Sequence, residues 1–139
     1  MNYKRALWFA LLFYVFSFVV LALIQIVSGA SVFGLREYAV FWVLAIPLIL
    51  LLCKWYFRAD APSLKKGFML GILALVVGFF LDLLVMAFIS SYVGSSFKDL
   101  FLQFYADSKF YLSLLEIIAL TSFAGFEFDA TYTNRQTGV

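Results

Sequence analysis

Asp82 and Glu116 are carboxylates set inside otherwise apolar stretches of this chain. An ionisable group in that position is expensive unless it faces protein, water or a counter-charge, so each needs an explanation. Asp82 stands seven residues before the end of one apolar run, about 10 Å deep at 1.5 Å per residue. Glu116 stands six residues into the next run, about 9 Å deep from the same side. The spacing therefore puts both in one layer, where two carboxylates in low dielectric would share a proton. Lys109 lies seven residues before Glu116 on the same helix face, with Ser113 between them. A network of Lys109, Ser113, Glu116 and Asp82 is the candidate proton or ion site, and Arg36 is a second possible counter-charge. The plainer alternative is a protonated or ion-paired network that only fixes helix register or a partner subunit.

Other chemistries find little purchase. The chain contains no histidine, which removes the usual ligand for haem and for most catalytic metal sites. Neither a metal site nor a cofactor is expected. The one cysteine, Cys53, rules out an intramolecular disulfide or a redox pair, and reads as a packing residue, with palmitoylation the alternative. No nucleophile or metal-ligand set is present, so the chain is not expected to be an enzyme. A net charge of +2, spread over scattered basic residues, does not suggest nucleic acid.

The elements that would carry these residues follow from composition. Of 139 residues 65% are hydrophobic and 13% charged, far from the half and quarter of an average soluble domain. The expected fold is all-α, an integral membrane four-helix bundle forming one domain over 1–139. Its spans cover about 6–27, 38–57, 67–89 and 110–126, each near the length a bilayer needs. Met1–Arg5 resembles a signal n-region and Ser28-Gly29-Ala30 a cleavage site, but the first apolar run is too long for a signal core, so a retained helix is expected. Lys54-Trp55-Tyr56-Phe57 reads as an interfacial anchor closing the second span, and Pro47 should kink that span. Between the third and fourth spans, Phe97, Leu100, Phe101 and Phe104 recur at helical spacing behind a Ser96/Asp99 capping pattern. This predicts a short amphipathic helix over 97–105, lying in the membrane interface. A polar, frayed tail is expected over 127–139.

In the third span Gly67, Gly71, Ala74, Gly78 and Asp82 fall on one helical stripe. Small residues in such a stripe let a second helix approach closely, which places Asp82 on a packing face. Tyr14, Ser17 and Gln25 in the first span are expected to bond between helices. The N-terminus, the second connection and the tail hold seven Lys and Arg (Lys4, Arg5, Lys54, Arg58, Lys65, Lys66, Arg135), against three in the other connections (Arg36, Lys98, Lys109). Basic residues concentrate on the cytoplasmic side, so both termini are expected there, in a cell membrane.

Lys66-Gly67-x-x-x-Gly71, Leu81-Asp82-Leu83 and an interfacial stretch leading to Tyr111-Leu112 resemble a group of uncharacterised small four-span prokaryotic membrane proteins. The likeness covers spans three and four, about half the chain, through short motifs. It implies the four-span topology and adds weight to Asp82, but implies no activity. The group favours a proline in the fourth span where this chain carries Glu116, which leaves that residue without support from it. Four-span multidrug exporters are a comparison by size alone, because their first-span glutamate has no counterpart here. Two functions follow as expectations. The first is a non-catalytic subunit, packed through the small-residue stripe against itself as a homo-oligomer or within a larger membrane complex in the lipid bilayer. The second is a proton-coupled transporter of a small solute or ion, acting as an oligomer.

Overall fold

The computed structural model describes residues 1–29 and 33–137, with side chains described through residue 129. Five helices carry the chain: α1 (Tyr3–Ser28), α2 (Leu35–Tyr56), α3 (Leu64–Val93), α4 (Phe97–Tyr105) and α5 (Ser108–Thr137). No strand occurs among the described residues. Four of the helices are long and apolar enough to cross a bilayer, the fourth over Ser108–Asp129, with the short α4 between spans three and four. This is the predicted arrangement, each span beginning two or three residues before its expected start, and α2 ending one residue short, at Tyr56. The polar tail is the exception, since the backbone stays helical to Thr137 where fraying was expected from Glu127. Ala30, of the would-be cleavage site, and residues 138–139 lie outside the described residues, as does the side chain of Arg135.

Local chemistry sets the helix ends. Asn2, Ser63 and Ser96 begin α1, α3 and α4 by accepting the backbone N–H of Arg5, Lys66 and Asp99, each at 3.1 Å. The Ser96 half of the expected capping box is thus present. Gly29 and Gly94 close α1 and α3 with φ of 66° and 73°, where a β-carbon would be strained. α2 runs unbroken past Pro47, although that proline cannot donate to the carbonyl of Val43.

The long helices pack as a ring in the order α1, α2, α5, α3, with α2 and α3 on a diagonal. α4 closes one end against α3 and α5. α3 and α5 meet most closely at the other end. A β-carbon on Gly67 would collide with the Thr121 carbonyl, and one on Gly71 with the Thr121 hydroxyl and, at 3.2 Å, the Ile118 Cα. Gly125 answers from α5, where a β-carbon would stand 3.1 Å from Gly67 Cα. Lipid gives no hydrophobic drive between helices, so this backbone proximity is itself a main source of adhesion. The stripe is therefore filled from within the chain. Gly78 is different: a β-carbon there would have only the Tyr14 ring at 3.8 Å, an ordinary contact.

Asp60, in the α2–α3 connection, gathers three helices at this end. Its carboxylate accepts the backbone N–H of Asn2 (3.0 Å), the Tyr56 hydroxyl (2.8 Å) and the Lys66 ammonium (2.7 Å). Burial pushes the acid upward, but the bonds from Lys66, Tyr56 and Asn2 outweigh it and hold its pKa down at about 2. Nearby, the Arg5 guanidinium lies 4.1 Å over the Trp55 ring and donates to the Trp55 carbonyl. In the aromatic cluster closing α2, Lys54 is exposed while Tyr56 and Phe57 turn into the core, where Phe9 meets Tyr56 edge-on at 6.4 Å. Cys53 is wholly buried in the same core, out of reach of an acyl chain.

Candidate functional site

Asp82 lies towards the α4 end of the ring, half-buried on α3. Tyr14 of α1 donates its hydroxyl to one carboxyl oxygen at 2.8 Å. Tyr105, the last residue of α4, donates to the other at 2.7 Å. Both oxygens accept a phenol, and among the described residues no Lys or Arg pairs with Asp82. Two bonds of this kind orient a carboxylate firmly, being stronger than neutral ones.

The tyrosines are themselves fixed by packing. Tyr105 stacks on Phe101 with ring centres 4.6 Å apart and meets Phe79 edge-on at 5.7 Å. Its backbone carbonyl accepts the Tyr111 hydroxyl at 2.8 Å, which ties the end of α4 to α5. Burial, and next the bond to Asp82, hold the Tyr105 phenol above its usual pKa, so it remains a donor at any physiological pH.

Asp82, Tyr14 and Tyr105 form part of the wall of a partly open cavity of about 200 Å³ lined by all five helices. Half of the rest is aromatic, including Phe13, Phe41, Phe79, Phe104 and Phe110, and most of the remainder is aliphatic or small. Gly78 opens the space beside Asp82. Ser113, on the α5 wall, receives the indole N–H of Trp42 at 2.8 Å. Ser17 also lines the cavity, and its buried hydroxyl has no hydrogen-bond partner. Among the described residues, Asp82 is the one charged residue on this wall.

The expected four-residue network does not form. Lys109 pairs instead with Asp107 at 3.2 Å, drawn there by a carboxylate that also caps the start of α5 through the Lys109 N–H. Ser113 is taken by Trp42, and Arg36 pairs with its neighbour Glu37 at 3.4 Å. Glu116 is not on the cavity wall, and one of its oxygens is buried without a partner. Among the sequence candidates, then, the structure brings Asp82 and Gly78 to the cavity and leaves Glu116 and Lys109 outside it. Tyr14 bonds between helices as expected, Ser17 does not, and Gln25 is exposed. Tyr105 was not anticipated as a site residue: it lies off the predicted apolar face of α4, and only tertiary packing brings it to Asp82.

No family model, curated protein or solved structure matches this chain.

Proposed function

We propose that this multi-pass membrane protein moves a small solute or ion in exchange for protons, with Asp82 as the exchanging group. The observation that carries the reading is a carboxylate on the wall of a partly open cavity rich in aromatic rings, bonded by two phenols and, among the described residues, paired with no cation. An uncompensated negative charge in such surroundings is expensive. Asp82 therefore takes either a proton or a cation from outside, and the two compete. Competition for one acid is the elementary requirement for coupling proton movement to solute movement. The groups facing Asp82 are Tyr14 from α1 and Tyr105 from α4, with Tyr38 of α2 and Ser113 of α5 elsewhere on the wall.

The rival reading was a non-catalytic subunit docked through the stripe of α3. Its supporting feature is used up within the chain, since α5 occupies the space beside Gly67 and Gly71.

Proteoliposomes loaded with a pH-sensitive dye test the proposal. Under a pH gradient, solutes added in pools should evoke proton flux with the wild type. Asp82→Asn should fall to the level of empty liposomes while eluting and melting as a folded protein. Solute-evoked flux that survives Asp82→Asn, or no flux with any pool, would overturn it.

A further inference from the structure

The geometry points to a quaternary ammonium bearing one small apolar group as the ligand class of the Asp82 cavity. This rests on the reading of that cavity as a solute site, and follows from size, wall chemistry and the state of the carboxylate.

Size limits the ligand first. An engineered dry cavity of about 150 Å³ accepts a benzene, while pockets for drug-sized molecules begin near 300 Å³. At about 200 Å³ this one matches a single ring with a small substituent. The wall then limits the charge type. A hard metal ion wants six or more converging oxygens, and here one carboxylate stands among phenyl rings. Phe13, Phe41, Phe79 and Phe110 line the space, and phenyl rings suit a diffuse, weakly hydrated cation, as in the aromatic cages that hold methylated ammonium groups on ring faces. An anion would meet Asp82 with no cation on the wall to offset it.

The carboxylate selects within the organic cations. Each Asp82 oxygen already accepts a phenol, Tyr14 on one and Tyr105 on the other. The acid therefore presents charge more than open hydrogen-bonding capacity, which suits a cation carrying no N–H.

The test is equilibrium dialysis of radiolabelled benzyltrimethylammonium against the full chain in nanodiscs. Saturable binding at one per chain is expected, weakened by roughly tenfold or more in Asp82→Asn. Gly78→Leu, which fills the space beside the acid, should also abolish it. Potassium at equal concentration should not displace the ligand, and benzyl alcohol should bind wild type and Asp82→Asn alike. Both variants are first checked for wild-type elution and melting; if Asp82→Asn fails that check, potassium competition and Gly78→Leu carry the test. Binding unchanged by Asp82→Asn, displacement by potassium, or no saturable binding to the folded wild type would each overturn the inference. Solute-evoked proton flux without ammonium binding would sink this ligand class and leave the transport reading intact. Ammonium binding without any proton flux would do the reverse.

Discussion

Asp60 and Asp82 each accept a tyrosine hydroxyl, but only Asp60 also holds an ammonium, and that difference separates a structural acid from a candidate functional one. The Asp60 pKa sits at about 2, below its unfolded value near 3.9. A depressed folded pKa gives stability that is complete above the unfolded value and fades as pH falls from about 4 to about 2. The contribution is on the order of 1 to 2 kcal/mol. Thermal melts in detergent should therefore show wild type above Asp60→Asn at neutral pH, with the gap closing through that acid window. A gap that holds steady down to pH about 2 would contradict the assignment. Tyr105→Phe provides a second check, because it keeps the ring stacked on Phe101 and removes one donor to Asp82. The loss should be roughly 1 to 3 kcal/mol by denaturation, as for a hydrogen bond to a charged group. Phe101→Ala should lower stability further by unpacking the Tyr105 ring itself.

At the scale of elements, periodicity and composition made the four spans and the short helix legible. The spans emerged because unbroken apolar runs leave a bilayer chain few options, and α4 emerged from its Phe spacing behind a serine cap. Which surface the glycines met was not legible. A stripe of small residues says that some backbone comes close, and Gly125, which completes the contact from α5, has no stripe of its own to flag it. Asp82 was identifiable as an acid in an apolar run, whereas Tyr105, Asp60 and the loss of Lys109 to Asp107 depend on where loops turn. The stripe now divides. Gly71→Ala should destabilise by about 1 to 3 kcal/mol, since its β-carbon would overlap Thr121 and crowd Ile118. Gly78→Ala has room and should melt within about 0.5 kcal/mol of wild type. Equal effects of the two would refute the close α3–α5 contact.

For the molecule as a whole, the ring order fixes one end around Asp60 and the other around Asp82, about 24 Å apart along α3 at 1.5 Å per residue from Lys66. The excess of Lys and Arg at the Asp60 end predicts, by the positive-inside rule, that this end faces the cytoplasm and the cavity faces outward. Single cysteines at Ser63 and Ser95, on a Cys53→Ser background, examine this directly. An impermeant thiol reagent added outside intact cells should label position 95 and spare position 63. Labelling of both from one side would break the four-span arrangement. The same ring order also bears on how the bundle comes together. α1 packs on α2, and α3 on α5, so each half of the chain is a helical hairpin. The cavity belongs to neither hairpin. It exists only where they meet, along a seam crossed by Tyr14 to Asp82 on one flank and Trp42 to Ser113 on the other. Expressed as two pieces divided between Ala61 and Pro62, the hairpins should insert separately and then recognise one another. Replacing Asp82 or Trp42 by leucine should weaken their co-purification without preventing insertion of either piece.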